Sequence, residues 1–76
     1  MREIKTGAVY RHFKDKRYRV LHIALHSETG ESMVVYQQLY GEGLVYVRPY
    51  DMFASEVDRR KYPDAKQTYR FEEETE

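Results

Sequence analysis

Alternation of apolar and polar residues is the dominant pattern in the first two thirds of this chain. It predicts four β-strands, over residues 8–13, 18–26, 32–40 and 44–48, because successive side chains of a strand point to opposite faces of a sheet. In the second segment one of the two alternating sets is almost wholly apolar, and the other mixes apolar and polar residues. The nearly apolar set is Arg19, Leu21, Ile23 and Leu25.

Turn-forming residues separate the predicted strands. Small hydroxyl residues and a glycine over 27–30 indicate a hairpin between the second and third strands, and the glycine-containing segment 41–43 indicates another tight turn. Pro49 lacks a backbone N–H and should end the fourth strand. A short helical turn is expected within 49–56, where Met52 and Phe53 would close one end of the core.

The last third of the chain is more polar than the rest. Residues 58–67 include Pro63 and predict a loop, and the alternating segment 68–71 predicts a closing strand near the first one. The acidic residues 72–76 predict a frayed tail. The expected ordered core therefore covers about 7–57 together with the closing strand.

These elements predict an all-β fold, a small single domain over 1–76 with about five antiparallel strands and a short helical turn before the last one. Their order is that of an SH3-like barrel. The alternative is a small open antiparallel sheet with a helix at the C-terminal end. Closure is favoured because it removes exposed strand edges that so short a chain could not otherwise cover.

Composition narrows the class of protein. The chain has no cysteine, which excludes a disulfide framework and fits a reducing cytoplasm. Its longest apolar run, 33–36, is far shorter than a membrane span, and the first five residues lack the apolar stretch of a secretion signal. Thirteen basic residues balance thirteen acidic ones, although 11–19 is locally basic. We expect a cytoplasmic protein with no membrane association.

Several spaced motifs resemble a bacterial family, the domain of unknown function numbered 1653. The similarity covers roughly residues 7–57 and implies an SH3-type barrel in a small, mostly stand-alone protein with no agreed activity. It therefore implies no catalytic or binding residues. The matching segments are Tyr10-Arg11-His12-Phe13-Lys14, Val20-Leu21, Ile23-Ala24, His26-Ser27-Glu28-Thr29, Val34-Val35-Tyr36, Leu39-Tyr40-Gly41, Val47-Arg48-Pro49 and Met52-Phe53.

The candidate binding residues are aromatic, basic and histidine side chains near predicted strand ends, together with one glutamate. In a closed barrel these ends could converge on one surface. The competing interpretation is structural: the histidines bond to turn backbone, and the tyrosines fill a core that is short of large aliphatic residues. The candidates are Tyr10, Arg11, His12, His26, Glu28, Tyr36, Tyr46 and Arg48.

The leading hypothesis is a binding or adaptor module that recognises a peptide, a protein partner or a small anionic ligand through aromatic packing and charge-assisted hydrogen bonds. Binding of RNA or single-stranded nucleic acid is the alternative, although zero net charge counts against it. A small enzyme using His12, His26 and Glu28 is less favoured. No catalytic set, cofactor or metal site is predicted, since His22 and His26 would lie about 13 Å apart along a strand.

Overall fold

A computed structural model describes residues 2–74 as one five-stranded antiparallel sheet with a short helix before the last strand. The strands lie in the order β4-β3-β2-β1-β5. This described part of the chain contains no helix long and apolar enough to cross a membrane. The elements are β1 (Val9–His12), β2 (Lys16–Leu25), β3 (Ser32–Gln38), β4 (Val45–Pro49), α1 (Tyr50–Phe53) and β5 (Phe71–Glu73).

The hairpin turns follow the residues that the sequence offers for them. Between β1 and β2 the chain turns at Asp15, which adopts a left-handed φ of 64°, a conformation that aspartate tolerates better than most residues. Between β2 and β3 the same region is used by Gly30, with φ 73°. The backbone N–H of Gly30 donates to His26 O at 2.8 Å, which closes that turn. The predicted hairpin at 27–30 is confirmed.

A bulge interrupts the alternation predicted for β2. Val20 lies opposite Tyr36 and His22 lies opposite Val35, so Leu21 is an extra residue in the ladder. A bulge shifts the side chains beyond it to the opposite face. Val20 is fully buried, whereas Ile23 is 39% exposed and Leu25 is 71% exposed. The nearly apolar set therefore does not form a continuous buried face.

The core is predominantly aromatic. Phe53 from α1 stacks on Phe71 from β5, with ring centroids 4.0 Å apart and planes 6° apart. Tyr10 and Tyr36 pack edge-on against Phe53 at 5.6 and 5.1 Å. The short helix thus delivers Phe53 to the centre of the core, as expected. The prediction for its neighbour is wrong, because aromatic rings fill this space and Met52 is 49% exposed.

The end of the described chain is more ordered than the sequence predicts. The closing strand is Phe71–Glu73 rather than 68–71, and it pairs with β1 as expected. Glu74 continues this edge through a backbone bond to Val9 O at 2.9 Å. The expected frayed tail is therefore wrong for 72–74, since Glu72 and Glu74 face Arg11 and Arg17. Residues 75–76 lie outside the described residues.

The sheet is strongly curled, although β4 and β5 are its two edges. The Phe71 ring on β5 lies 5.6 Å from the Tyr36 ring on β3, and the Arg48 guanidinium carbon on β4 also lies 5.6 Å from the Phe71 centroid. All-β architecture, five antiparallel strands and one short helix before the last strand are confirmed. The SH3-like barrel stays a prediction, and the alternative C-terminal helix is not found in residues 54–74.

The segment between α1 and β5 folds back on itself as a compact loop. Glu56 and Tyr69 form an isolated antiparallel bridge at its base, and the Val57 N–H donates to Thr68 O at 2.9 Å. Farther out, the Arg59 guanidinium donates to the carbonyl oxygens of Ala65 and Gln67. These bonds hold the predicted loop 58–67 beside His12 and Arg48, which the curled sheet brings together from opposite ends of the strand ladder.

Candidate functional site

A cavity of about 280 Å³ lies where the loop meets the ends of β1 and β4. We call it the basic cleft. Four of its side chains are cationic and one is a carboxylate, so an anion would enter a site of net positive charge. The cleft is lined by His12, Phe13, Lys14, Arg48, Asp58, Lys61, Tyr62 and Arg70.

Arg48 is held against the core by its own strand and by an aromatic neighbour. It lies opposite Val34 in the β3–β4 ladder, and its Nε donates to the Tyr36 hydroxyl at 3.2 Å. Its guanidinium also lies over the Phe71 ring, a favourable cation–π contact. The bond to Tyr36 uses one N–H of the guanidinium, which leaves the four N–H groups of the terminal nitrogens for other acceptors.

Arg70 contributes a buried donor that lacks an acceptor. Its backbone is fixed on both sides, since its N–H donates to Ser55 O at 2.9 Å and its carbonyl accepts from Phe13 N at 3.0 Å. Within residues 2–74 the buried Nε of Arg70 has no hydrogen-bond partner. A buried unsatisfied donor costs about 1–3 kcal/mol, and more when it is charged. Arg70 also lines the basic cleft, so its positive charge acts on a ligand bound there.

The pKa of His12 reflects its burial and the positive charge of the cleft. Burial, together with the positive charges of Arg48, Arg70 and Lys14, lowers the pKa of His12 to about 4. Its Nδ1 accepts a hydrogen bond from the Lys14 backbone N–H at 3.1 Å, so the neutral ring carries its proton on Nε2. The ring packs edge-on against Phe71 at 4.9 Å. At neutral pH, His12 is therefore an uncharged donor among cations.

A family model described as "Protein of unknown function (DUF1653)" matches residues 8–73. The chain belongs to the DUF1653 family. No curated protein and no solved structure matches it. The match extends well beyond 7–57, the range of the resemblance noted in the sequence, and includes the whole loop between α1 and β5. Every residue that lines the basic cleft therefore lies within the DUF1653 domain.

The basic cleft brings together two of the residues predicted for the binding site, and a third supports them. His12 and Arg48 both line it. Tyr36 is 4% exposed and contributes through its hydroxyl, which accepts from Arg48. These three residues come from β1, β4 and β3, so the convergence depends on the curl of the sheet.

Three other predicted residues lie outside the cleft. Tyr10 is 1% exposed, and its hydroxyl accepts from Lys5 N at 2.9 Å. Burial raises the pKa of Tyr10. Its assignment to a binding surface is therefore corrected: Tyr10 is a core residue. Arg11 is on the outer face of β1 and donates through Nε to Gln67 Oε1. Tyr46 is 40% exposed, and its hydroxyl accepts from Gln38.

The remaining two predicted residues lie at the other end of the sheet. His26 and Glu28 belong to the turn after β2, whereas His12 pairs with Lys16 at the start of that strand. Lys16 and Leu25 are nine positions apart, which corresponds to roughly 30 Å of extended strand. The His26 Nδ1 accepts from the backbone of Glu28 at 3.2 Å, as the structural interpretation expected.

The predicted acid–base set of His12, His26 and Glu28 is divided between the start and the end of β2, and the enzymatic hypothesis stays a prediction. Across residues 2–74, no three histidine, aspartate or glutamate side chains are grouped so that they could hold a metal ion.

Sequence reasoning missed most of the loop side of the cleft. Asp58, Lys61 and Tyr62 come from the segment that polarity alone identified as a loop. Arg70 was placed in a strand but assigned no role. The available signal was the run of charged residues over 58–61, which is also typical of a solvated loop. Only the folded structure shows that this charged run lines a cavity together with residues of β1 and β4.

Proposed function

We propose that this DUF1653 protein is a small binding module whose basic cleft receives an anionic group. The observation that carries the proposal is the grouping of four cationic side chains with one carboxylate around a single cleft, in which Arg70 also has a buried Nε without an acceptor in residues 2–74. Among the ligands expected from the sequence, a small anionic ligand therefore comes first. A peptide or protein partner would be recognised through an anionic side chain.

The chemistry of the cleft suits an oxyanion. Arg48 and Arg70 offer planar donor groups that match the geometry of carboxylate and phosphate oxygens. Lys14 and Lys61 add point charges at the mouth of the cleft. Neutral His12 offers one more donor through Nε2. Because Arg48 is already positioned by Tyr36, little side-chain entropy is lost when it binds a ligand.

The distribution of charge disfavours the nucleic-acid alternative. A nucleic-acid strand needs a continuous basic track, but the basic side chains on the outer face of β1 and β2 have acidic or polar neighbours. Arg17 Nε lies 2.9 Å from a Glu74 carboxylate oxygen, and Arg11 lies opposite Glu72 in the β1–β5 ladder. Arg11 and Arg17 therefore add little free positive charge on this face, whereas the cleft groups four cations with one carboxylate.

A titration with inorganic phosphate tests the proposal. In two-dimensional amide NMR at low salt, we expect shifts to cluster on the backbone of 12–14, 48, 58–62 and 70. Arg70→Gln should weaken phosphate binding about tenfold, because a hydrogen bond to a charged group contributes about 1.5–3 kcal/mol. Arg19→Gln removes one charge from the exposed outer face of β2 and is the matched control, for which we expect a change below about twofold.

Two outcomes would refute the proposal. One is the absence of any phosphate-dependent shift in the cleft. The other is equal weakening by Arg70→Gln and Arg19→Gln, which would reduce binding to general charge attraction. Arg48→Gln provides a second variant with an intact loop, and it should weaken binding by a similar factor.

A bacterial, cytoplasmic origin without membrane association remains part of the proposal. The resemblance to a bacterial family and the cysteine-free composition support it. Fractionation of a bacterial host that encodes this chain, followed by immunodetection, tests the location. Recovery in the membrane or secreted fraction would contradict it.

A further inference from the structure

An apolar recess of about 330 Å³ opens beside the basic cleft. Four residues, Phe13, Lys14, Lys61 and Tyr62, line both cavities. Three further loop residues complete the recess: Pro63, Asp64 and Ala65. A ligand anchored by its charge in the cleft would therefore extend a second group across the two aromatic rings. Ligand pockets typically span about 300–1,000 Å³, so the adjoining cavities have the size of a site for a small molecule.

The rings of the recess are positioned by the backbone that also positions Arg70. The Phe13 N–H donates to Arg70 O, and the Phe13 and Tyr62 rings lie 4.8 Å apart with planes at 57°. The Lys61 and Tyr62 N–H groups both donate to Asp58 O, at 3.2 and 2.9 Å. The ring pair is thus fixed relative to the cationic cleft rather than carried on a free loop.

The ring pair offers an aromatic surface to a flat ligand group. Lys14 Nζ lies 5.1 Å from the Tyr62 centroid and 5.9 Å from the Phe13 centroid. A planar ring can stack on these aromatic side chains, whereas an aliphatic chain gains only burial. Asp64 adds an acceptor to an otherwise apolar rim, and it suits a ring that bears an amino group.

We propose that the ligand of this site is a nucleoside monophosphate, with its phosphoryl group between Arg48 and Arg70 and its base against Phe13 and Tyr62. The inference rests on the proposed function and adds the ligand class. A phosphomonoester matches a cleft with four cationic side chains and one carboxylate better than a singly charged carboxylate does. The Asp64 carboxylate favours bases with an exocyclic amino group, such as adenine.

Binding of AMP, ribose 5-phosphate and adenosine, measured by isothermal titration calorimetry at one salt concentration, tests the inference. Ribose 5-phosphate lacks the base and adenosine lacks the phosphoryl group, so each isolates one half of the site. We expect AMP to bind about tenfold more tightly than ribose 5-phosphate, because stacking of a base on aromatic side chains is favourable. Adenosine should bind at least tenfold more weakly than AMP.

Variants separate the two halves of the site. Tyr62→Leu should bring AMP to within about twofold of ribose 5-phosphate and leave the affinity for ribose 5-phosphate unchanged. Tyr46→Leu removes a half-exposed ring that does not line the recess, and it should retain the tenfold preference. Phe13→Leu repeats the test if Tyr62→Leu does not fold, which its amide spectrum shows. Arg70→Gln should weaken AMP and ribose 5-phosphate by the same factor.

The outcomes distinguish the two proposals. Equal affinities for AMP and ribose 5-phosphate would overturn the nucleotide inference and leave the anion-binding function standing. Adenosine that binds as tightly as AMP would overturn the placement of the phosphoryl group. Failure of AMP, ribose 5-phosphate and inorganic phosphate alike to bind would refute the proposed function itself.

Discussion

The two ends of the sheet hold histidines in the same local way and in different surroundings. At one end His12 Nδ1 accepts from the Lys14 backbone N–H at 3.1 Å. At the other end His26 Nδ1 accepts from the Glu28 backbone N–H at 3.2 Å. His12 is half-buried against aromatic rings and near three cations, whereas His26 is exposed in a turn.

The difference comes from what covers each end rather than from the local motif. The loop between α1 and β5 folds over the end with His12 and supplies Tyr62 and Arg70 to the basic cleft. At the turn that holds His26, by contrast, Leu25 is 71% exposed. A histidine that closes a turn thus becomes part of a candidate site only where a distant segment encloses it.

The largest expected effect is a difference in stability between a core variant and a variant at the exposed turn after β2. Phe53→Ala should destabilise the protein by about 3–5 kcal/mol, because it leaves a cavity against the stacked Phe71 ring. Leu25→Ala, which truncates an exposed side chain, should change the free energy of unfolding by less than about 0.5 kcal/mol. Urea denaturation measures both. Similar losses for the two variants would show that the uncovered end is packed in solution.

The next effect in size is a pH dependence of the stability, which we expect His12 to cause. The pKa of His12 is about 4 in the folded protein, against about 6.5 in an unfolded chain. Between these values the unfolded state binds the extra proton, so stability should fall as the pH drops from 6.5 to 4. After screening by solvent around the half-buried ring, we expect a loss of about 1–2 kcal/mol.

Urea denaturation at several pH values measures this loss, with His12→Gln as the comparison. Between pH 6.5 and 4, the stability of this variant should not show the loss that His12 causes in the wild type. An imidazole titration by NMR gives the His12 pKa directly, and added phosphate should raise it by placing negative charge in the cleft. A His12 midpoint near 6.5 without ligand would contradict the assigned environment.

A smaller effect tests whether the uncovered end matters for binding. Gly30 has φ 73°, and a Cβ added there would meet no atom within 4 Å. Gly30→Ala should therefore cost about 1 kcal/mol through backbone strain alone. Its affinity for phosphate should equal that of the wild type, because no residue of this turn lines the cleft. A weakened affinity would indicate coupling between the ends.

The smallest effect is a gain in stability at the cleft. Arg70→Leu removes a buried donor without a partner and one of four clustered cations, so we expect the ligand-free protein to become more stable by about 0.5–1 kcal/mol. Phosphate binding should be lost at the same time. Thermal unfolding with and without phosphate measures both changes. A destabilised variant would mean that Arg70 is satisfied in solution.

Much of the fold could be predicted from the sequence because its signals are local. The hairpin turn at 27–30, the helical turn with Phe53 and the order of five strands followed from alternation and turn chemistry. The bulge at Leu21 could not be predicted, because it depends on how β3 aligns with β2. The ordering of Glu72 to Glu74 was missed for a similar reason, since their partners lie about sixty residues earlier.

The candidate site could be predicted only in part. His12 and Arg48 were identified because basic and aromatic residues cluster around them in the sequence. Tyr10 and Tyr46 both lie in predicted strands, yet Tyr10 is buried and Tyr46 is not. Polarity identified the loop that contains Lys61 and Tyr62. The periodicity of the sequence does not show which strands a loop packs against.

The sequence by itself determined an all-β domain with an aromatic core, because alternation, turns and composition act over a few residues. The tertiary structure alone decided which charges meet. Curling of the sheet and folding of the loop bring Arg48 and Arg70, twenty-two positions apart, into one cleft around His12. Electrostatic interactions depend on distance in space, so only the folded chain shows that these cations surround a common site.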